Sequence, residues 1–483
     1  MKSKEISRRR FIGTVAAATT GMVAGSGMTS IFAQSRDTSG SLALLGGTPV
    51  RGKDKRWQPW PQWDSENFDP KMNEVMANRV WSRSRKVAEF EQKWAEMNGS
   101  KHCLSTVNGT NALSASWMQS DIGPGDEVIC SPYTFSASIF GVLYKGAMPV
   151  WADIDPETFQ VDTKKIREKI TPRTKGILPV HICGYPSDMP EIMRIAKEHN
   201  LFVVEDACQA HLAKIDGKRV GTFGNAGCFS FQASKNLPIG EGGGILTDNT
   251  EYYDRLYSYH NFGYASGSVS GQISSITALI LANKIRMSEY QAVIGLCQME
   301  KLEEQHKIRN ENGAYLNEKL SAYPGITPVK LHKGATEASY YIYAMVYNQD
   351  KMKGVSRERF MEALKAEGIP IGSGYPNDPL YGQPMINEVF KSDIYRKFYS
   401  AEELDFEAYK ERNHCPELIK TFDSALWIWH GGLMLGTRSD MDDIVNAVDK
   451  IHNNIAKLKY RMNRNLFSHL TMVRSSAPGA RGR

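Results

Sequence analysis

The segment "LFVVEDACQAH", Leu201 to His211, gives the first view of the architecture. Leu201, Phe202, Val203 and Val204 form an unbroken apolar run, which reads as a strand buried on both faces, and two acids, Glu205 and Asp206, close it. The rest of the chain repeats this rhythm. Apolar or β-rich runs at 102–107, 127–130, 148–152 and 176–181 alternate with helical stretches at 111–120, 163–170 and 190–199. Such alternation predicts an α/β fold with a mainly parallel sheet wrapped by helices. Ahead of it, Val87, Phe90, Trp94 and Met97 share one helical face that Gly99 ends. Beyond it, the pattern predicts a long helix from Arg286 to about Leu320 and a strand within "SYYIYAMVYN" (339–348). A helix in "SRERFMEALKAEG" then has Ser356 as N-cap and Phe360 and Leu364 inward. This part reads as a second, smaller α/β lobe.

At 483 residues the chain exceeds one ordinary core, and 41% hydrophobic with 23% charged residues fits a folded globular protein. The net charge of +6 is unevenly placed. Residues 1–33 carry +4 and residues 451–483 carry +7, so the body between them is −5. A broad basic surface for tracking phosphates is therefore not expected, and nucleic acid is not an expected partner. The opening "SRRRFIGTVAAATTGMVAGSGMTSIFAQS" resembles a twin-arginine export signal, with Ser7 to Ile12 as its core and a small-residue cut point near Ala33. Its apolar stretch is too short and too interrupted for a membrane span. Seven scattered cysteines without a CxxC pair predict neither a disulfide framework nor a metal site. The expected organisation is a signal over 1–33, an irregular arm over 34–86 and a large domain over 87–300. A small domain over 301–458 and a basic tail over 459–483 follow.

In a parallel sheet of this kind, ligands sit beyond the carboxyl ends of the strands. Four such segments carry suggestive residues. "STVNGTNAL" opens a helix at Gly109, Thr110 and Asn111, whose amides suit an anion, although a Gly-Thr helix start also serves as a plain cap. "LFVVEDACQAH" supplies Asp206 and Gln209, and "SPYTFSAS" (131–138) supplies Phe135, which alone could be a cap, a loop residue and core. "FSFQASKNLPIGEGGG" (229–244) places Lys235 between an aromatic run and a glycine-rich turn. By itself that lysine reads as one that reaches for water. Together these residues suit pyridoxal phosphate, which needs a lysine for a Schiff base, a carboxylate for its pyridine nitrogen, a phosphate-binding helix start and a ring face.

The ordered motifs "NGTNAL", "GDEVICSPYTFSAS", "PVWADIDPETF", "PVHICGYPSDM", "VEDACQAH", "FSFQASKNLPIGEGGGILTDN", "HNFGY", "IRMSEYQAVIGLCQ" and "EALKAEGIPI" resemble the DegT/StrS family of pyridoxal-phosphate-dependent sugar aminotransferases, over about Leu42 to Ile455. The resemblance implies the fold type I, aspartate-aminotransferase-like architecture with a seven-stranded sheet, and a homodimer with shared active sites. It implies Lys235 as Schiff-base lysine and proton carrier, Asp206 at the pyridine nitrogen and Gln209 at the phenolic oxygen. Ser230, Gly109, Thr110 and Asn111 would hold the phosphate, with Phe135 stacked on the ring. Relatives that dehydrate deoxysugars carry histidine at the lysine position, so Lys235 points to transamination from glutamate or glutamine to a keto sugar or keto cyclitol. One departure stands out. The family's asparagine two residues before the arginine of its NxR motif is replaced by Lys284 in "NKIRMS"; in the family that position reaches the phosphate from the neighbouring subunit, and a lysine there suits either that phosphate, as a point charge, or the donor's carboxylate. His181, His211 and His260 read as structural, and "GYPNDPLYGQPM" (374–385) as a substrate-facing loop. The other functional class left open is an exported carbohydrate-binding or sensory protein without turnover, which the full lysine and carboxylate set disfavours.

Overall fold

Val203 and Val204 are wholly buried in the centre of a seven-stranded sheet, as their unbroken apolar run requires. The computed structural model describes residues 40–269, 277–375, 378–429 and 431–459. The stretch 1–33, read as an export signal, lies outside them, as does the basic tail beyond residue 459.

The strands in chain order are β1 (His102–Thr106), β2 (Glu127–Cys130), β3 (Met148–Trp151), β4 (Thr174–Leu178), β5 (Phe202–Asp206), β6 (Lys214–Ile215), β7 (Lys218–Arg219), β8 (Ala226–Ser230), β9 (Gly243–Thr247), β10 (Ile326–Pro328), β11 (Ala335–Glu337), β12 (Tyr343–Tyr347) and β13 (Ala425–Ile428). The main sheet has the order β1-β9-β8-β5-β4-β2-β3. β9 runs antiparallel to both its neighbours, and every other adjacent pair is parallel. Six strands thus end on one edge, and the loops after β1, β2, β5 and β8 meet there. A smaller antiparallel sheet, β10-β12-β13, belongs to the C-terminal part, and β11-β6-β7 form a third.

Helix boundaries follow local chemistry. The helix Gly109–Met118 begins two residues before the predicted 111, because the Asn108 side chain accepts from the Asn111 amide and caps it. The helix Arg85–Asn98 buries Val87, Phe90 and Trp94 and stops at Gly99, whose φ is 70°. Ser356 caps the helix Arg357–Ala366, and Phe360 and Leu364 face inward as expected. The long helix spans Glu289–Leu320, opened by a capping box between Ser288 and Gln291, and residue 300 lies within it.

Residues 41–63 are largely irregular, as their Pro, Gly and Trp content predicts, and they are pinned to the C-terminal part. The carboxylate of Glu367, itself wholly buried, accepts from the amides of Ala43 (2.8 Å) and Val50 (2.9 Å) and pairs with Lys450. Arg51 is sandwiched between Asp440, Asp443 and the Trp57 ring. The helix Ser65–Asn78 was not read from the sequence. Its Phe68 and Val75 pack on Val293 and Cys297 of the long helix. All seven cysteines are free thiols. Among the described residues no helix is long and apolar enough to cross a membrane, and no cluster of His, Cys, Asp or Glu is placed to hold a metal.

Candidate active site

A cavity of about 850 Å³ opens at the shared carboxyl edge of the main sheet. Of the residues singled out in the sequence, Gly109, Thr110, Phe135, Asp206, Gln209, Ser230 and Lys235 all line it. They come from four different loops, so the sheet brings together what the chain keeps up to 126 residues apart.

Asp206 ends β5 with its carboxylate almost fully buried. One oxygen accepts from the Ser138 hydroxyl at 2.6 Å and the other from the Cys208 amide at 3.1 Å. Its neighbour Glu205 faces the other side of the strand. There it accepts from the amides of Gly221, Phe223 and Gly224 at 2.7–2.8 Å and from His181. The Ser187 amide donates to Nδ1 of His181, so the proton that His181 gives Glu205 sits on Nε2. Adjacent acids therefore have separate duties: one fixes a loop and the other enters the cavity.

Gln209 is held at both ends of its amide. Its oxygen accepts from the Cys183 amide at 2.8 Å, and its nitrogen donates to the Tyr375 hydroxyl at 3.1 Å. Cys183 adopts φ 61°, a left-handed conformation that is costly for a side chain with Cβ and that turns its amide to Gln209. Burial pushes the Tyr375 hydroxyl well above its ordinary pKa, so it stays protonated.

Lys235 lies in a loop tied to itself. The amides of Phe231 and Ala233 donate to the carbonyls of Gly242 and Gly240, and that of Ile239 to Phe231. Gly240 makes the turn at φ 90°, and β9 starts at Gly243. The Lys235 ammonium lies 4.2 Å from the centroid of the Tyr341 ring and forms no ion pair among the described residues. Its positive charge adds to burial in holding His211 neutral, with a pKa down to about 3. His211 is sealed among Trp94, Phe229 and Phe231. His181, His211 and His260 are all buried and none lines the cavity, in keeping with their structural reading.

The helix Gly109–Met118 brings its first turn to the cavity, where amides lack intrahelical acceptors. A Cβ at Gly109 would lie 2.7 Å from Cβ of Ser230 and 2.9 Å from Sγ of Cys208, so only glycine allows this close approach. Asn111 does not line the cavity, since its side chain turns back to Asn108. Phe135 stands 59% exposed at the cavity edge, an open ring face. Lys284 is also outside this cavity. It is exposed, bridged to Asn261 in the backbone, with its ammonium 5.5 Å from the Phe262 ring.

Gly374 and Tyr375, from the loop read as substrate-facing, also line the cavity, and among the lining residues that the sequence reading did not single out are Thr134, Ser138, Tyr341, Lys365, Trp427 and Trp429. Thr134 and Ser138 flank Phe135 in the loop after β2. Tyr341, Trp427 and Trp429 come from the C-terminal part, and nothing local marks them as site residues.

Residues 62–406 match the model of the DegT/DnrJ/EryC1/StrS aminotransferase family. The chain belongs to that family. Its members are pyridoxal-phosphate-dependent aminotransferases, and this chain is an aminotransferase with that cofactor and fold. It is 32% identical over 429 residues to an L-glutamine:2-deoxy-scyllo-inosose aminotransferase of Streptoalloteichus tenebrarius, covering 86% of this chain and 99% of the relative. It is 34% identical over 389 residues to a spore coat polysaccharide biosynthesis protein of Bacillus subtilis, covering 79% and 93%. The crystal structure of an aminotransferase from Psychrobacter cryohalolentis superposes with a TM-score of 0.72 at 27% identity, covering 83% of this chain and all of that one.

The cavity suits the cofactor of this family. The helix start, which the lack of a side chain at Gly109 lets approach Ser230 closely, and the Ser230 hydroxyl suit a phosphate. Asp206 keeps free lone pairs beyond its two protein donors, and Phe135 offers a flat face.

Proposed function

We propose that this aminotransferase moves an amino group from glutamine or glutamate to the ketone of a keto cyclitol or keto sugar. The observation that carries the reading is the convergence of Lys235, Asp206, Gln209, Ser230 and the Gly109 helix start on one cavity. The inosose aminotransferase, similar over almost its whole length, supports glutamine as donor and a cyclitol ketone as acceptor.

When bound, pyridoxal phosphate supplies an electron sink that makes the donor's α-proton acidic. In this reading Gly109, Thr110 and Ser230 bind its phosphate, with Asn111 bracing the helix start through Asn108. Phe135 packs on its ring, Asp206 faces its pyridine nitrogen, and Gln209, locked by Cys183 and Tyr375, donates its remaining N–H towards the phenolic oxygen. Lys235 would anchor the cofactor at rest, and its Nζ, freed when the donor amine takes its place, would carry the proton of the donor's α-carbon onto the cofactor. Tyr341, Tyr375, Trp427 and Trp429 exclude water and pack on the apolar ring face of the acceptor.

Lys284, exposed and outside its own cavity, supports a homodimer in which each chain lends this cation to its partner's site. The Ser7–Ile12 stretch supports export of the folded enzyme, which N-terminal sequencing of the mature protein tests. The functional test is a pair of half-reactions. Glutamine or glutamate alone should bleach the visible band of the bound cofactor, and an inosose or keto sugar should restore it. A band that no amino donor bleaches would overturn the reading.

A further inference from the structure

The loop that carries Phe135 also holds two hydroxyls outside every role assigned above. Ser138 is 1% exposed and its Oγ lies 2.6 Å from Oδ2 of Asp206. Thr134, also buried, places Oγ1 2.7 Å from the same Ser138 Oγ. The directions of both bonds follow from donor inventory. A carboxylate can only accept, so the single Ser138 proton goes to Asp206, and Thr134 must then donate to Ser138. The chain of donors is Thr134 to Ser138 to Asp206.

The Cys208 amide takes the other Asp206 oxygen at 3.1 Å. Two donors on two different oxygens fix the rotation of the carboxylate about its last bond, which one donor would leave free. They also leave one lone pair on each oxygen directed elsewhere. The Cys208 amide belongs to the segment that leaves β5, whereas the Ser138 hydroxyl belongs to the short 3-10 helix Ser136–Ile139 that begins directly after Phe135. A single rigid turn therefore presents both the ring face and the group that aims the carboxylate.

We infer that Ser138, supported by Thr134, is a positioning residue that holds the Asp206 carboxylate in the plane of the cofactor's pyridine ring, so that ring stacking and nitrogen protonation are set by one loop. The inference rests on the reading that Asp206 faces the pyridine nitrogen. It goes beyond that reading in naming what fixes the carboxylate and in coupling it to Phe135.

The test uses full-length holoenzyme loaded with pyridoxal phosphate labelled with nitrogen-15 in the ring, and reads the chemical shift of that nitrogen and the cofactor dissociation constant. Wild type should show a protonated pyridine nitrogen. Ser138→Ala should move the resonance towards the unprotonated position and weaken cofactor retention about tenfold, the scale of one lost hydrogen bond to a charged group. Ser138→Thr, which keeps the hydroxyl, should restore both. Thr134→Val keeps the shape of the loop and should shift the resonance in the same direction by less, and it serves as the deciding variant should Ser138→Ala not fold. A wild-type resonance and affinity in Ser138→Ala, or in Thr134→Val should Ser138→Ala not fold, would overturn the role of Ser138 while leaving Asp206 in place. An unprotonated nitrogen in wild type would instead overturn the placement of Asp206, and with it the inference.

Discussion

Glu205 and Asp206 are consecutive residues whose carboxylates lie on opposite faces of β5, one wrapped by three backbone amides and His181, the other open to the active-site cavity. The division predicts opposite phenotypes. Glu205→Gln puts an amide N–H₂ against donors and should cost about 3 kcal/mol, as expected when one member of a buried charged network is removed. Asp206→Asn should leave the melting temperature within a few degrees of wild type and lower kcat/KM about 10²- to 10³-fold. Thermal unfolding and steady-state kinetics on the two variants separate the effects.

Lys235→Ala should abolish the visible absorbance of the bound cofactor and lower turnover by about 10³-fold or more, because anchor and proton carrier are lost together. Tyr341→Ala, which removes the ring beneath the ammonium, should leave the band and lower kcat/KM about tenfold, whereas Tyr341→Phe keeps the ring face and should be nearly neutral. Absorbance spectra before and after adding glutamine distinguish the three.

Gly109→Ala should act on cofactor retention before it acts on turnover at saturating cofactor. The added Cβ would press on Cβ of Ser230 and Sγ of Cys208, the floor of the proposed phosphate cradle. Overpacking of this kind costs about 1–3 kcal/mol, so the dissociation constant for pyridoxal phosphate should rise about 10- to 100-fold. Fluorescence titration of the apoenzyme measures it.

Acid sensitivity should trace in part to His211. Burial first, and then the Lys235 charge, lower its pKa to about 3 from an ordinary 6.5. Below 6.5 the unfolded chain binds a proton that the folded one refuses, so this group lowers stability as pH falls from 6.5 towards 3 and has no effect above that window. Between pH 6.5 and about 5 the loss should be about 2 kcal/mol. His211→Phe fits the surrounding aromatic cluster and should flatten that part of the curve. Denaturant titrations of both proteins at about pH 7 and pH 5 check it.

Much of the secondary structure could be read locally. The buried strand at 202–206, the cap at Ser356 and the stop at Gly99 each depend on residues within one turn of the feature. Boundaries moved by a few residues where a side chain took over the capping, as Asn108 does at the helix start. The helix Ser65–Asn78 escaped notice because its apolar face is weak and is satisfied by Val293 and Cys297, more than two hundred residues away.

The site divides along the same line. Lys235, Asp206, Gln209, Ser230 and Gly109 stand out in the chain because a backbone turn, a strand end or a helix start forces unusual residues into short motifs. That Asp206 and not Glu205 faces the cavity followed from the family resemblance alone, since two adjacent acids differ only in which side of a sheet they meet. Tyr341, Trp427 and Trp429 were not legible, because they look like any aromatic core residue until the C-terminal part folds against the edge of the sheet, whereas Tyr375 sits in the loop read as substrate-facing. Chemistry carried by backbone geometry is written locally. Chemistry carried by facing surfaces exists only once long-range packing has chosen which side chains meet.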